Sequence, residues 1–467
     1  MSWLLLLSLS MDPAYAGGWV VVGPRLVDAH GARQVETLVV DGDTIAHIGP
    51  ARPEDAALPH LYTRGLTLVP GLVDAHVHLS MAPGGAFVER TPEQTEARRA
   101  HHLRAYVASG VAAVLDTGAT LEDATQIRAL AEQGPAPTVV QLGPLVSPPG
   151  GYVAAVLPEF EPAPDAATLE RQLTAFDALD PLGVKVTMED GMLGDIWPWQ
   201  RDDVLDFLAE QDRPLFVHAM EPEEYTLALD RLPVHAFVHP LDKPDDTLIA
   251  RLQDVPVVTT LSVFDHLLFT AEPERLDAPL WQRTVPDDER QRAVDPEVVR
   301  ASFRTVADKI LPRSPGFVRG TVAGAFRMRG PLQGRVEKMQ RAVVALHEGG
   351  VPLVMGSDSG NWPVFLTEFH GPTSVREVEL LGEAGLAPLD VIRISTLHGA
   401  ELLGLADRLG TLEVGKEASF LALTSDPLEQ LSALREPAWI ALRGERRTSE
   451  DWMVADQLPE PAEQDRE

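Results

Sequence analysis

Eight short apolar runs, alternating with segments of helical pattern, constrain the fold of this chain more than any other feature. One run ends at His76, and the other seven occupy residues 111–115, 138–142, 184–188, 214–218, 234–239, 255–261 and 352–356. Candidate helices between the runs occupy residues 91–109, 165–178, 203–210 and 335–348. Because alternating strands and helices form parallel sheets, eight such units predict an α/β fold with a closed (β/α)₈ barrel.

Polar side chains stand at the ends of several of these runs, which is where such a barrel carries its chemistry. They are His76 and His78, Lys185, His218, His239 and Asp358. Residues two apart on a strand face the same side, so His76 and His78 can bind one ion such as zinc. Two polar residues on a surface strand would give the same His-x-His pattern. The polar residues at the other strand ends favour the metal.

Asp358 follows an apolar strand and enters a turn rich in glycine and serine. A carboxylate at this point can bind a metal, take a proton from bound water and pass that proton to a leaving amine. A turn or helix-capping aspartate is the structural alternative. We predict that Asp358 is both a metal ligand and the catalytic acid and base.

Lys185 lies between apolar residues of the fourth run, in a chain that has only five lysines. A buried ammonium group is costly unless it is paired or neutralised. A neutral lysine can add carbon dioxide, and the resulting carbamate can bridge two cations in the manner of a long carboxylate. A salt bridge from Lys185 to Glu189 or Asp190 is the alternative, and the strand-end position favours the carbamate.

The two ends of the chain carry the remaining β-rich runs. Residues 17–67 contain several, with a hairpin signal at Asp41-Gly42, and similar runs recur at 419–423 and 438–444. The first set has too few strands to bury a core alone. We therefore predict one small β-domain, of residues 17–67 plus 403–446, beside a barrel of residues 68–402.

Three further segments lie outside these elements. Residues 1–16 combine an apolar run with Ala14-Tyr15-Ala16, the form of a signal-peptidase site, although no Lys or Arg precedes the run. A signal peptide would direct the protein to the periplasm or outside the cell, and a cytoplasmic protein is the alternative. Residues 263–334 are expected to form a helical lid over the barrel mouth, and residues 447–467 an acidic solvated tail.

The composition excludes several classes of partner. A formal net charge of -31 argues against nucleic acid, whose phosphates require clustered Lys and Arg. The absence of cysteine excludes thiolate metal ligands and disulfides. No apolar stretch approaches the roughly 20 residues of a membrane span. We expect a small-molecule substrate and no membrane contact in the mature form, and a homo-oligomer is compatible with the sequence.

Four motifs resemble those of the amidohydrolase superfamily of metal-dependent hydrolases. They are Val-Pro-Gly-Leu-Val-Asp-Ala-His-Val-His at 69–78, Gly-Val-Ala-Ala-Val-Leu-Asp-Thr-Gly at 110–118, Met-Gly-Ser-Asp at 355–358, and the C-terminal stretch at 396–418. The resemblance covers most of residues 17–445. It implies a distorted (β/α)₈ barrel with a small β-sandwich built from both chain ends.

The resemblance also implies a ligand set. His76, His78 and Asp358 would hold one metal, His218 and His239 would hold a second, and carboxylated Lys185 would bridge the two ions. The expected cofactor is two zinc ions per chain. This layout is similar to that of binuclear members related to imidazolonepropionase and to the Xaa-Pro and Xaa-Arg dipeptidases. Such enzymes hydrolyse an amide or other C–N bond with a metal-bridging hydroxide.

Two positions leave the substrate and the reaction open. Related dipeptidases carry a histidine after Gly-Gly, whereas Gly150-Gly151 is followed here by Tyr152, a candidate substrate-binding residue. The stretch from His218 to Glu221 resembles the His-x-x-Glu of mononuclear deaminases, in which the glutamate shuttles protons. A mononuclear aminohydrolase that uses Glu221 is therefore the first alternative. A catalytically silent metal-binding protein of the same fold is the second.

Overall fold

The computed structural model describes residues 18–63, 65–149, 157, 160–188, 202–310, 314–325 and 328–454. The expected signal peptide at 1–16 lies outside these ranges, as does most of the expected tail. No helix within the described ranges is long and apolar enough to cross a membrane.

The strands fall into three groups along the chain. The first group comprises β1 Trp19–Val22, β2 Arg25–Asp28, β3 Gly31–Gln34, β4 Thr37–Asp41, β5 Thr44–Gly49, β6 His60–Tyr62 and β7 Thr67–Pro70. The second comprises β8 Leu72–Val77, β9 Val111–Asp116, β10 Thr138–Gln141, β11 Leu145–Val146, β12 Val184–Thr187, β13 Leu215–His218, β14 Val234–Phe237, β15 Val257–Val258 and β16 Leu353–Val354. The third comprises β17 Phe420–Leu423, β18 Pro437–Leu442 and β19 Glu445–Arg447.

The second group forms two parallel sheets, which confirms the predicted α/β class. Their strand orders are β10-β9-β8 and β11-β12-β13-β14-β15-β16. Eight of these strands coincide with the eight apolar runs, and the ninth, β11, is a short strand just beyond the third run, which forms β10. Most of their residues are buried because helices pack outside the sheets, as is usual for parallel strands.

Backbone hydrogen bonds also join the ends of the two parallel sheets. Between the β8 and β16 segments, the Ala75 amide donates to the Met355 carbonyl (2.9 Å) and the Asp358 amide to the His76 carbonyl (2.7 Å). Near β10 and β12, the Gly143 amide donates to the Gly183 carbonyl at 2.7 Å. The carboxyl ends of β8 and β16 therefore lie side by side.

The first and third groups form two further sheets. Their orders are β5-β4-β1-β6 and β19-β18-β17-β7-β2-β3, so the larger sheet contains strands from both ends of the chain. One apolar core lies between residues of the two sheets, with the rings of Trp19, Phe420 and Trp439 at its centre. Each pair of these rings has centroids about 6 Å apart, a favourable aromatic spacing.

The α-helices connect and cover the parallel strands. They are α1 Pro92–Ala108, α2 Leu121–Gln133, α3 Ala166–Phe176, α4 Asp202–Ala209, α5 Pro222–Arg231, α6 Asp246–Arg251, α7 Ser262–Ala271, α8 Pro279–Thr284, α9 Asp287–Val294, α10 Pro296–Ile310, α11 Gly316–Ala325, α12 Arg329–Glu348, α13 Pro372–Ala384, α14 Pro388–Ser395, α15 Leu397–Leu402 and α16 Ser449–Met453. Side-chain caps fix several starts, such as the reciprocal Thr91 and Gln94 capping box of α1.

The long segment before α12 is helical, as predicted, and part of it covers the strand ends. Val306 of α10 packs in one cluster with Met81 and Trp362, which follow β8 and β16, and with Leu145 of the two-residue strand β11. The Ser302 hydroxyl donates to the Val364 carbonyl at 2.7 Å. Helix α10 therefore lies against the loops that leave the carboxyl ends of the sheets.

The predicted start of the acidic tail at residue 447 is wrong. Arg447 ends β19, and the next residues form α16, whose Trp452 is only 1% exposed. The indole of Trp452 donates to the Ile440 carbonyl (3.2 Å), and the Arg447 guanidinium lies 5.0 Å from the ring centroid. This buried aromatic anchor keeps residues 447–453 in the fold.

We expect Phe420→Ala to lower the free energy of unfolding by about 3–5 kcal/mol, because it opens a cavity among the three packed rings. Val414→Ala, at a side chain that is 59% exposed, is the matched control and should change stability by less than about 0.5 kcal/mol. Urea denaturation followed by fluorescence measures both values. Equal small effects would show that the two sheets do not share a tight core.

Candidate metal centre

The His-x-His pair lies at the carboxyl end of β8, and both side chains are buried. The Nδ1 atom of His76 lies 2.8 Å from the Val238 carbonyl oxygen, which can only accept a hydrogen bond. Nδ1 therefore carries the ring proton, and Nε2 presents its lone pair to the interior. This is the orientation that a neighbouring carbonyl commonly imposes on a metal-binding histidine.

Asp358 meets both imidazoles just beyond β16. Its Oδ1 atom lies 3.2 Å from His76 Nε2 and 3.0 Å from His78 Nε2. The Asn361 side-chain amide donates to Oδ2 at 2.8 Å, which fixes the plane of the carboxylate. Asp358 has φ = 53°, an unusual backbone conformation for a non-glycine residue. The hydrogen bond from its backbone amide to the His76 carbonyl holds it in place.

These three side chains fit a divalent metal ion. Burial, together with the charge of Lys185, lowers the pKa of His76 to about 3, so its ring is neutral and Nε2 cannot donate to Asp358. Asp358 Oδ1 accordingly has no hydrogen-bond donor among the described residues. Electron pairs facing one another in a buried site require a cation between them. Ligand atoms of tetrahedral zinc lie about 3.3 Å apart, close to the separations observed here.

Lys185 adjoins this group from β12. Its side chain is buried, and Nζ lies 3.3 Å from His76 Nε2. Burial lowers the pKa of Lys185 to about 7, so much of the amine is neutral at physiological pH. The alternative salt-bridge partners Glu189 and Asp190 lie outside the described residues.

His218 and His239 lie together on the neighbouring strands, at the ends of β13 and just beyond β14. Their ring centroids are 4.3 Å apart, and the His239 ring is 4.9 Å from that of His76. Thr260 Oγ1 hydrogen-bonds to His239 Nδ1 at 2.9 Å. Burial, with His218 and His76 beside it, lowers the pKa of His239 well below its ordinary value, so this ring is neutral.

Asp74 supports the group from behind. One of its carboxylate oxygens accepts from the Ser357 amide (2.9 Å), and the other accepts from the hydroxyls of Ser357 and Ser374, each at 2.6 Å. Burial raises the pKa of Asp74 to about 6, although these hydrogen bonds oppose the shift. Asp74 thus ties β8, which carries the histidine pair, to the turn that carries Asp358.

The two candidate substrate-binding residues have different outcomes. Tyr152 lies outside the described residues. Glu221 caps helix α5 with an exposed side chain, whose carboxylate forms an ion pair with Lys243 at 3.1 Å. The described ion pair of Glu221 is therefore with Lys243 and not with the histidine group.

Sequence reasoning missed three residues that border the site. Thr260 contacts His239, Asn361 contacts Asp358, and the buried carboxyl of Glu368 follows in the same loop as Asn361. Asn361 and Glu368 lie outside the apolar runs, and Thr260, near the end of the run at 255–261, is not a typical metal ligand. The turn Gly-Ser-Asp-Ser-Gly-Asn at 356–361 was the available signal for Asn361, since such turns shape strand-end sites.

Comparisons with known proteins found a matching family and several similar folds. The model of the amidohydrolase family matches residues 67–442. A solved Xaa-Pro dipeptidase with bound methionine in the active site has a TM-score of 0.68 and 19% identity, covering 92% of this chain and 100% of that one. The A. niger ochratoxinase has a TM-score of 0.66 and 17% identity, covering 92% of this chain and 95% of that one.

A curated relative is similar over a shorter stretch. The 5-methylthioadenosine/S-adenosylhomocysteine deaminase of Teredinibacter turnerae is 28% identical over 119 residues. That stretch is 24% of this chain and 27% of the deaminase, so the match spans about a quarter of the relative's length.

We expect the low pKa of Lys185 to appear in the stability of metal-free protein. Between pH 7 and 10 the unfolded chain holds a proton on this lysine that the folded chain lacks. The free energy of unfolding should therefore rise with pH, by up to about 1.4 kcal/mol per pH unit, relative to Lys185→Met. Urea denaturation of both proteins with chelator in carbon-dioxide-depleted buffer measures this. Parallel pH profiles would show that Lys185 keeps its ordinary pKa.

Proposed function

Because the chain belongs to the amidohydrolase family, we propose that it hydrolyses an amide, peptide or cyclic amide bond with two divalent metal ions. The family and its hydrolase relatives already identify a hydrolase acting on C–N bonds. The observation that carries the two-metal proposal is the convergence of His76 Nε2, His78 Nε2 and Asp358 Oδ1, with the Lys185 amine 3.3 Å from the first of them.

We propose that the two parallel sheets are arcs of one closed (β/α)₈ barrel. The hydrogen bonds between the β8 and β16 segments and between the β10 and β12 segments support this closure. β10 and β11 would then be two parts of the third barrel strand. The two sheets built from the chain ends would form a β-sandwich around the core of Trp19, Phe420 and Trp439.

Each candidate ligand has a place in this proposal. His76, His78 and Asp358 would hold one metal, and His218 with His239 would hold the other. Lys185, carboxylated on Nζ, would join the two positions, since its amine is buried beside His76 and largely neutral at physiological pH. Zinc suits a ligand set of imidazole and carboxylate. A bound divalent ion lowers the pKa of a coordinated water from about 15.7 to near 7, which supplies a nucleophile at neutral pH.

Asp358 is the group that we assign to proton transfer. Its Oδ1 faces the histidines, while Oδ2 accepts from the Asn361 amide and is held in a fixed plane. In that position the carboxylate can take the proton of the attacking water and return it to the leaving nitrogen. Asn361 is a positioning residue in this scheme because it acts through Asp358, to whose carboxylate its side-chain amide donates.

The neutral state of the surrounding histidines suits this role. Burial lowers the pKa of both His76 and His239, so neither ring competes with Asp358 for the proton that is transferred. Thr260 and the Val238 carbonyl bind the Nδ1 atoms of these two rings and so keep each Nε2 turned to the site. The pocket is therefore preorganised for a charged reaction centre.

A mononuclear deaminase is the second candidate function, and the match to the T. turnerae deaminase favours it. Under that reaction Glu221 would move the proton, and removing a proton-transfer group typically costs about 10²–10⁴-fold in rate. The carboxylate of Glu221 is exposed and paired with Lys243, which favours the amide hydrolase instead.

We expect Glu221→Gln to retain kcat within threefold. The substrate for this test is the one found by screening dipeptides, N-acyl amino acids, cyclic amides and amino-heterocycles. A fall of 10²-fold or more would favour the deaminase.

We expect the zinc-loaded wild type to contain two metal ions per chain and Lys185→Ala to contain none after dialysis, because the carbamate would bind both ions. Inductively coupled plasma mass spectrometry measures the ratio. Lys338→Ala, at a lysine on the α12 surface, is the matched control and should keep both ions. One ion retained at full occupancy in Lys185→Ala would contradict the bridged pair.

A further inference from the structure

Glu368 is a buried carboxyl group that the proposed reaction does not use. Its side chain is about 1% exposed, and neither carboxylate oxygen has a hydrogen-bond donor among the described residues. The Nε2 atom of His266 lies 3.4 Å from the Oε1 atom of Glu368. A buried carboxyl without donors is rare and costly, so its presence requires an explanation such as a ligand.

The contrast with Glu377 shows how this chain treats a structural carboxylate. Glu377 is equally buried on α13, but it accepts hydrogen bonds from the Thr259 hydroxyl (2.6 Å) and the Leu261 amide (3.0 Å) through one oxygen. Its other oxygen accepts from the amide and hydroxyl of Ser262, at 2.7 and 2.9 Å. The carboxylate of Glu377 thus stabilises the loop after β15, whereas the carboxyl oxygens of Glu368 accept no hydrogen bond from the described residues.

His266 is arranged as a neutral acceptor toward Glu368. The Thr367 hydroxyl donates to the His266 carbonyl (2.6 Å), so its oxygen is left to accept from His266 Nδ1–H at 3.3 Å. His266 Nε2 therefore presents a lone pair to Glu368. Burial lowers the pKa of His266 to about 3 and, with the charge of Asp358, raises the pKa of Glu368 well above its usual value. Both His266 and Glu368 are therefore uncharged as long as no cation is bound beside them.

The position of Glu368 is between the loops that leave β15 and β16. Its backbone carbonyl accepts from the Gly360 amide at 2.9 Å, two residues after Asp358. Gly360 lies against the carbonyl of His78, since a Cβ added there would come within 2.4 Å of that oxygen. His266 lies on α7, which begins two residues after Thr260, the partner of His239. The carboxyl therefore lies on the side of the sheets that carries the metal ligands.

Aromatic rings line the same corner. The Phe365 ring lies 4.5 Å from that of His266, and the Trp362 ring lies 5.0 Å from that of Phe365. An apolar, aromatic wall beside one buried carboxyl is suited to an ammonium group, which binds both a carboxylate and the faces of aromatic rings.

We propose that Glu368, oriented by His266, binds the positively charged amino group of the substrate beside the metal centre. This inference rests on the proposed amide hydrolase and deepens it, because it assigns the substrate to the class of amides that carry a free amine. On binding, the ammonium group supplies the donors that Glu368 lacks, and the carboxyl becomes ionised as its proton passes to solvent.

The test compares dipeptides that carry a free α-amino group with the same dipeptides acetylated on nitrogen. Losing a hydrogen bond to a charged group costs about 1.5–3 kcal/mol, on the order of 10- to 100-fold in affinity. The zinc-loaded wild type should prefer the free amines by at least tenfold in kcat/KM, and Glu368→Gln should lose that preference. The metal content should stay unchanged in the variant.

A stability measurement separates recognition from a structural role. Glu368→Gln should unfold at the same urea concentration as the wild type or a higher one, whereas Glu377→Gln should unfold at a lower one, since it loses satisfied hydrogen bonds. A preference for free amines that persists in Glu368→Gln would overturn the inference. A destabilisation of Glu368→Gln equal to that of Glu377→Gln, with selectivity intact, would assign Glu368 to the fold.

A lack of dipeptide hydrolysis would count against the proposed function for this substrate class. In that case a binding measurement still tests the role of Glu368. Calorimetric titration of the zinc-loaded protein with leucinamide and with N-acetyl-leucinamide then compares the charged and acetylated amine directly. Tighter binding of leucinamide that disappears in Glu368→Gln supports the inference. Equal binding of the two amides by the wild type contradicts it.

Discussion

The hydrogen bonds that join the β8 segment to the turn after β16 are the constraint on which the site depends. They bring residues nearly 300 positions apart in the chain into register, so that the His76 carbonyl accepts directly from the Asp358 amide. Asp74 reinforces the joint through the amide and hydroxyl of Ser357. Because both strands are buried, a shift of either would separate the imidazoles from the carboxylate. The geometry of the candidate metal centre therefore depends directly on the pairing of these two segments of the fold.

The same joint concentrates backbone strain around the site. Thr260, Asp358 and Trp362 have φ values of 31°, 53° and 37°, a region that non-glycine residues rarely occupy. Each such residue costs on the order of 1–3 kcal/mol, which the surrounding packing must supply. Thr260 and Asp358 both contact metal-ligand candidates, so their strained conformations aim functional side chains. Stability is given up locally where the ligands need unusual directions.

Much of this site follows from sequence pattern because most of its ligands end or closely follow apolar runs, although Lys185 is the second residue of β12. Predicting a shared site required only the position and direction of each strand, together with the rule that the carboxyl ends of parallel strands lie together. That reasoning selected His76, His78, Lys185 and His218. The structure brings the rings of His76, His78 and His239 within about 5 Å of a neighbouring ring, as that rule requires. The two parallel sheets likewise followed from strand and helix alternation.

Other parts depend on contacts that no local pattern encodes. Thr260 and Glu368 lie in loops whose paths are set by distant partners, as when Thr367 contacts His266, 101 residues away. The apolar run at 138–142 predicts β10, but no pattern in it shows that a second short strand, β11, follows just beyond it. Trp452 lies in a region of acidic composition, and only its burial against β18 shows that residues 447–453 are part of the fold.

The central claim is that six side chains hold two metal ions joined by a carboxylated lysine. A crystal structure of the zinc-loaded protein, with diffraction recorded on both sides of the zinc absorption edge, tests this most directly. The account predicts two anomalous peaks, one beside His76, His78 and Asp358 and one beside His218 and His239, with density for a carboxyl group on Lys185 Nζ between them. A single peak beside an unmodified Lys185 amine would contradict it.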